Sequence, residues 1–190
     1  MMRIITGRAR GVKLDTLAGE RTRPTAERTK EAVFSMLQFG LLDANVLDLF
    51  AGSGQLGLEA LSRGAAHAVF GDVSRDAVAV IGRNIQKTRM EERSEAFCLD
   101  YAALLGRLRG GRPFDIVFLD PPYALGLIPH ALRLLCEYGL LAPDARIVCE
   151  TAEAGDVFGE DDTLRECFEI VKQTRYGVAQ ITVLTPREGR

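Results

Sequence analysis

The run Asp120-Pro121-Pro122-Tyr123 combines residue types that could perform chemistry on an amino group. It closes an apolar stretch over 114–120 that predicts a buried strand. The two prolines end the strand and hold the backbone rigid, so the Pro121 carbonyl and the Asp120 carboxylate become two hydrogen-bond acceptors for one planar amine. Such acceptors stabilise the positive charge that develops when the amine attacks an electrophile. Tyr123 offers a face for stacking a base, which contributes about 1–3 kcal/mol. We predict these four residues as the catalytic set.

A second stretch, residues 46–57, predicts a buried strand, a glycine turn and the start of a helix. Gly52 and Gly54 permit backbone conformations that other residues resist, and they let a ligand approach the main chain. Asp48 lies inside the strand, where a carboxylate is costly unless it meets a cation or hydrogen-bond donors. The spacing Gly52-x-Gly54-x-x-Gly57 also fits a dinucleotide fingerprint, which is weak evidence alone. The acids at Asp48 and Asp120 argue against a nicotinamide cofactor.

Two further predicted strands also end in acids. Asp72 ends the strand over 68–72, at the distance from the glycine turn where such folds bind ribose hydroxyls. Ser74 is the better cap for the next helix, so we expect Asp72 to be free for a ligand. Asp100 ends the strand over 95–100 and precedes a helix over 101–108. It either accepts from an adenine amine or caps that helix, and the sequence leaves both open.

Charge is distributed unevenly along the chain. The formal net charge is −2, but residues 1–40 hold eight Lys and Arg against four Asp and Glu, which gives +4 there and −6 in the remainder. A basic end on an acidic body indicates that a polyanion docks at that end, although a merely solvated basic arm is the alternative. The predicted phosphate-binding residues are Arg3, Arg8, Arg10, Lys13, Arg23, Arg28 and Lys30.

Composition limits the class of protein. The length of 190 residues and 47% hydrophobic content favour one compact domain, and no apolar run approaches the roughly 20 residues of a membrane helix. The start has no signal-peptide pattern, and four dispersed cysteines in apolar contexts predict buried free thiols in a reducing compartment. Two distant histidines predict no metal site. We expect a cytoplasmic protein.

The order of predicted elements indicates the fold. A hairpin over 3–15 and a helix from Pro24 precede alternating strands and helices, with a helix over 127–138 and a strand over 145–150. An antiparallel pair over 164–174 and 178–185 closes the chain. This alternation predicts an α/β fold with a doubly wound, mostly parallel sheet.

These motifs resemble a known family. Asp48-Leu49-Phe50-Ala51-Gly52-Ser53-Gly54, together with the Asp-Pro-Pro-Tyr run, resembles the amino-group class of S-adenosylmethionine-dependent methyltransferases. Arg3-Ile4-Ile5-x-Gly7 and Arg23-Pro24-Thr25-x-x-Arg28-x-Lys30 resemble the N-terminal hairpin and first helix of one bacterial family within that class. This RsmD family methylates the N2 amine of a guanine in 16S ribosomal RNA.

The resemblance implies a Rossmann-like class I methyltransferase fold with a seven-stranded sheet and S-adenosylmethionine as cofactor. It implies that residues 1–40 form an RNA-docking extension and residues 41–190 the cofactor-binding domain. The partner is then 16S rRNA or a small-subunit particle, and we expect a monomer. Two departures affect detail: Asp72 replaces a usual glutamate, and Lys30 a common arginine. Asp48, Gly52 and Gly54 are expected around the methionine end, Asp72 on the ribose and Asp100 at the adenine. The other expected cofactor-binding residues are Phe50, Ala51, Val73 and Tyr101.

Three other functions remain as alternatives. An adenine-N6 or cytosine-N4 DNA methyltransferase and a protein-glutamine methyltransferase share the Pro-Pro-aromatic motif. The short chain lacks a target-recognition domain for DNA, and the glutamine enzymes usually carry asparagine at position 120. A non-catalytic RNA-binding assembly factor is the third alternative, and the intact motifs argue against it.

Overall fold

The structure is a computed structural model that describes residues 2–17, 24–37, 39–122, 125–152 and 155–187. Helices and strands alternate through most of these residues. In chain order they are α1 (Pro24–Leu37), β1 (Asn45–Asp48), α2 (Gln55–Ser62), β2 (His67–Asp72), α3 (Arg75–Thr88), β3 (Ser94–Cys98), α4 (Tyr101–Leu108), β4 (Phe114–Leu119), α5 (Ile128–Glu137), β5 (Leu141–Ala152), α6 (Asp162–Cys167), β6 (Phe168–Tyr176) and β7 (Ala179–Pro186).

Seven strands within the described residues form one sheet in the order β3-β2-β1-β4-β5-β7-β6. Pairing is parallel from β3 to β5, whereas β7 runs antiparallel to both β5 and β6. The chain moves outward from β1 to β3 and then returns to place β4 on the other side of β1. Such a reversal leaves a crevice at the carboxyl ends of the two central strands. The predicted α/β fold with its terminal antiparallel pair is confirmed.

Both faces of the sheet are buried, which explains the continuous apolar runs in its central strands. On one face, Val46 and Phe118 pack in a cluster with side chains of α1, α2 and α3. On the other face, Leu47 and Val117 pack in a second cluster with side chains of α4, α5 and α6. Burial on both faces fixes the register of β1 and β4, and therefore the position of the loops that follow them.

The N-terminal segment is part of the first core cluster. Arg3 and Lys13 form an isolated antiparallel bridge, and Ile4 exchanges hydrogen bonds with Val12 and Gly11, so the segment makes the predicted hairpin turn. Ile4 and Leu14 are buried in the cluster that contains α1 and α2. The segment is therefore anchored against α1 and α2, while its use as an RNA-docking extension stays a prediction.

Two sequence expectations are wrong in detail. The strand predicted over 164–174 begins only at Phe168, because Asp161 accepts hydrogen bonds from Thr163 and Leu164 and so starts α6. A local helix cap outweighs the β-prone composition there. The cysteines are all free, but Cys98 and Cys136 are exposed rather than buried. Among the described helices, none is both long and apolar enough to cross a bilayer.

Candidate active site

A cleft opens at the carboxyl ends of β1 and β4, as the strand order requires. It has a volume of about 600 Å³ and is bounded by the loops after β1, β2, β3 and β4. The loops that follow β1 and β4 therefore border one cleft, with Asp120 on its surface. Its lining residues are Leu17, Leu49, Phe50, Gly52, Asp72, Val73, Leu99, Asp100, Tyr101, Asp120, Pro121, Pro122, Leu125 and Leu127.

The glycine turn has the conformation that its sequence predicts. Gly52 and Gly54 have φ values of 54° and 77°, which non-glycine residues rarely adopt. Gly57 is required for another reason: a Cβ there would lie 2.3 Å from the Phe70 ring. Glycine at 57 therefore allows α2 to pack closely on β2.

Side chains from three elements hold this turn through its backbone. Asp72 accepts from the Gly52 N–H at 2.9 Å, and Asp48 accepts from the Gly57 N–H at 3.0 Å. Asn84, on α3, donates to the Ser53 carbonyl at 2.9 Å. The turn is thus fixed before any ligand arrives, which lowers the ordering cost of binding.

The Asp72 carboxylate is partly occupied by backbone N–H groups, whereas the sequence led us to expect no such partners. Besides Gly52, its carboxylate accepts from the Ser74 N–H at 2.8 Å. The other half of that expectation holds, because Ser74 caps α3 by accepting from the Ala77 N–H. A carboxylate has about four acceptor positions, so Asp72, which lines the cleft, keeps capacity for hydroxyl donors.

Asp48, Ala51 and Gly54 lie behind the cleft surface and are not among its lining residues in the part of the chain described. Asp48 is only 2% exposed. Burial raises the pKa of its carboxyl to about 7, the Gly57 N–H lowers it, and the neighbouring charge of Asp72 raises it further. Direct contact of Asp48 with a cofactor stays a prediction; its observed contact supports the glycine turn from below.

Asp100 and Tyr101, which follow β3, also line the cleft. Asp100 caps α4 by accepting from the Ala102 N–H at 2.9 Å, and it also lines the cleft. The Tyr101 hydroxyl lies 2.7 Å from Nδ1 of His130, and its ring packs against Phe50 with centroids 5.5 Å apart. Burial, with a smaller effect of Asp100, raises the Tyr101 pKa. The phenol therefore stays neutral and presents a fixed aromatic wall.

The predicted catalytic run forms the wall nearest β4. Asp120, Pro121 and Pro122 line the cleft directly after the strand ends. Tyr123 lies outside the described residues, so its stacking role stays a prediction. Val73 is exposed at the rim, beside the Asp72 carboxylate.

The predicted phosphate-binding residues divide into two groups. Arg3, Arg8, Arg10, Lys13 and Arg28 are exposed, as phosphate contacts require, and Arg23 lies outside the described residues.

The prediction for Lys30 is wrong. Its side chain is 3% exposed, donates to the Arg3 carbonyl at 2.7 Å and lies 3.5 Å from the Glu59 carboxylate. Glu59 is itself fully buried and accepts from the backbone N–H groups of Ile5 and Thr6. Lys30 thus neutralises a buried carboxylate that joins the hairpin, α1 and α2.

Sequence reasoning missed Asn84 and Leu17. Asn84 is fully buried among Ala77, Val80 and Ile81 on the inner face of α3, so an amide within an apolar helical stripe was the available signal. Leu17 lines the cleft although it precedes the glycine turn by many residues, and no local pattern marks it.

No group of three or more His, Cys, Asp or Glu side chains within the described ranges is arranged to hold a metal ion.

Comparison with known proteins agrees with this geometry. A family model described as "Conserved hypothetical protein 95" matches residues 2–185. Ribosomal RNA small subunit methyltransferase D of Haemophilus influenzae is 39% identical over 151 residues, which covers 79% of this chain and 78% of that protein. The Escherichia coli K12 protein of the same name is 39% identical over 150 residues, which covers 79% of this chain and 74% of its own.

Two solved structures resemble this chain along most of its length. The Escherichia coli protein yhhF superposes with a TM-score of 0.84 at 31% identity and covers 99% of both chains. An O-methyltransferase from Bacillus cereus in complex with SAH gives a TM-score of 0.70 at 15% identity, covering 89% of this chain and 84% of that one, and it supports the fold alone. The family match and the two relatives in sequence show that this chain belongs to the ribosomal RNA small subunit methyltransferase D family, as its motifs predicted.

Proposed function

We propose that this protein transfers a methyl group from S-adenosylmethionine to the exocyclic N2 amine of a guanine in 16S ribosomal RNA. The observation that carries the proposal is the shared cleft, which has the fixed glycine turn on one side and Asp120, Pro121 and Pro122 on the other. One side suits a nucleoside-like methyl donor and the other a planar amine. The two relatives in sequence are named as ribosomal RNA methyltransferases, which favours ribosomal RNA as the substrate.

The described residues fit the cofactor. S-adenosylmethionine, when bound, supplies an electrophilic methyl group on a positively charged sulfur. Asp72 and Asp100 offer carboxylate oxygens on neighbouring loops, suited to ribose hydroxyls and an adenine amine, while Phe50, Leu99 and Tyr101 supply apolar walls. Small-molecule sites typically combine such a largely apolar lining with a few placed polar groups.

At the target, Asp120 and the Pro121 carbonyl accept the two hydrogens of the guanine amine. This orients the nitrogen lone pair toward the methyl group and stabilises the positive charge that grows on nitrogen. Fixing both reactants in one cleft also removes entropy from the barrier, an effect that reaches about 7–11 kcal/mol in favourable cases. The base leaves its stack to reach the cleft, with Tyr123 as the stacking partner.

The exposed arginines and lysine of the hairpin hold the RNA backbone next to the cleft. Arg8, Arg10 and Lys13 lie close together in sequence on an anchored turn, so a phosphate bound there keeps a defined position relative to the active site. Counterion release makes this docking dependent on salt. We propose that residues 1–40 act as this docking extension, that the substrate is 16S rRNA or the small-subunit particle, and that the enzyme is a cytoplasmic monomer.

Labelled S-adenosylmethionine tests the proposal directly. Wild-type protein is incubated with small ribosomal subunits, free 16S rRNA or DNA, and the products are digested for nucleoside analysis. The expected product is N2-methylguanosine. Asp120→Ala is expected to abolish transfer, while binding of S-adenosylhomocysteine, measured by calorimetry, is retained because the glycine turn is unchanged.

Asp115→Asn is the matched control, because it lies on the same strand at the end remote from the cleft. Asp115 accepts from the Asn45 N–H at 2.7 Å, and an amide oxygen preserves that bond. The proposal fails if Asp120→Ala methylates at the wild-type rate. N6-methyladenosine or methylated glutamine as product would assign one of the alternative enzymes, and absence of cofactor binding would favour an RNA-binding assembly factor.

A further inference from the structure

We propose that Asn84 is a positioning residue that joins the cofactor-binding turn to the N-terminal segment, so that the segment forms one wall of the cofactor cleft. The inference rests on the proposed function and adds a residue outside the predicted site. It assigns Leu17 a direct place against the methyl donor.

Three hydrogen bonds join the Asn84 side chain to Asp15 and Ser53. The Asn84 side chain accepts from the Asp15 N–H at 2.8 Å and donates to the Asp15 carbonyl at 3.0 Å. The same amide nitrogen donates to the Ser53 carbonyl at 2.9 Å. Asn84 is fully buried, so each of these bonds would be costly to leave unmade.

These contacts join two segments that are distant in sequence. Ser53 lies between the two positive-φ glycines of the turn, and Asp15 follows the basic hairpin. The Asp15 carboxylate also forms ion pairs with Arg83 and Lys87 on the same helix. Those pairs are exposed and contribute little, so the buried amide of Asn84 is the main link.

Leu17 lies two residues beyond Asp15 and lines the cleft together with Gly52, Asp72 and Val73. The position of Asp15 therefore sets where Leu17 meets a bound cofactor. If the amide bonds are lost, both the turn and the Leu17 wall are less well fixed, and ordering them then opposes binding. The acceptor groups for the target amine are on β4 and are not touched by Asn84.

The test is Asn84→Asp, which keeps the size of the side chain but replaces the amide donor by an oxygen facing two carbonyls. We expect S-adenosylhomocysteine to bind at least about tenfold more weakly in calorimetry, since two buried hydrogen bonds become repulsive contacts. The KM for S-adenosylmethionine should rise by a similar factor, while kcat at saturating cofactor stays near the wild-type value. A purely structural role would lower the active fraction, and so kcat, without moving KM.

Thr88→Val is the matched control, because Thr88 is one turn further along α3 and its hydroxyl donates to the Asn84 and Ile85 carbonyls of its own helix. It should leave cofactor affinity within about twofold of wild type, as expected for a change with no contact to the site. Leu17→Ala, which does not alter the buried amide, should also weaken S-adenosylhomocysteine binding and keeps the test decisive if Asn84→Asp fails to fold.

Unchanged cofactor affinity in either Asn84→Asp or Leu17→Ala would overturn the inference. Wild-type protein that binds no S-adenosylhomocysteine would instead refute the proposed function. The two failures are therefore distinguishable.

Discussion

Ionisation of Asp48 should make the free energy of unfolding depend on pH, and the substitution Asp48→Asn should remove this dependence. The carboxyl is buried beneath the glycine turn, and burial raises its pKa from 3.8 to about 7. A group whose pKa is higher in the folded protein stabilises the fold at low pH, and this stabilisation is lost as pH rises through the folded value. Asp48→Asn keeps an oxygen for the Gly57 N–H but carries no ionisable group.

The size of the effect follows from the pKa difference. Each pKa unit corresponds to about 1.4 kcal/mol, so the raised pKa lowers the free energy of unfolding by roughly 4 kcal/mol at pH above both values. The decrease in the free energy of unfolding starts near pH 3.8, the pKa in the unfolded chain, and levels off above about pH 7, the pKa in the folded protein. Between about pH 5.5 and about pH 8.5 the loss attributable to Asp48 is roughly 2 kcal/mol.

Urea unfolding of wild type and Asp48→Asn at those two pH values measures this loss. The expected result is that the variant gains about 2 kcal/mol relative to wild type as pH rises. If the amide also changes the free energy of unfolding by an amount that does not depend on pH, that amount cancels. The reason is that the test compares the difference between variant and wild type at one pH with the same difference at the other. A difference that is the same at both pH values would refute the assignment of a raised pKa to this carboxyl.

Three substitutions test the packing and the docking surface. Lys30→Met should lower the free energy of unfolding by about 3 kcal/mol in urea titrations, because it leaves a buried carboxylate without one of its cations. Its effect on RNA affinity should be small, and a large loss of affinity in a fully folded variant would contradict the buried assignment. Arg10→Gln should leave stability unchanged but reduce the slope of log affinity against log salt by about 1, and an unchanged slope would exclude a phosphate contact there. Gly57→Ala should destabilise the protein by about 1–3 kcal/mol through its clash with Phe70. Gly82→Ala is its control in thermal unfolding: a Cβ there meets nothing within 4 Å, so a neutral or stabilising effect is expected.

The sequence predicted the chemistry of the site better than its contacts. Asp120, the prolines and the glycine turn were identifiable because buried strands, proline and positive-φ glycines have local signatures. The alternation of strands and helices then required their tips to meet at one sheet edge. The boundary of the last strand pair was less accurate, because the cap at Asp161 competes with β propensity over the same residues.

Other roles depend on partners that are remote in sequence. Lys30 has the same charge and composition as an exposed docking lysine, and only packing against Glu59 reveals that it is buried. Asp72 was expected to have no partner within the protein. Its bond to the Gly52 N–H could not be foreseen, because it depends on how the loop after β1 folds back toward β2.

The amino-acid sequence by itself determined the fold class, the order of the chemical motifs and the family, because these are encoded in local periodicity, turn residues and short motifs. Tertiary structure decided which charges remain at the surface and which side chains fix the turn. Burial, desolvation and long-range hydrogen bonds set those properties: Asp48 has a raised pKa, and Asn84 links residues 15 and 53, only after β1, α3 and the N-terminal segment have packed together.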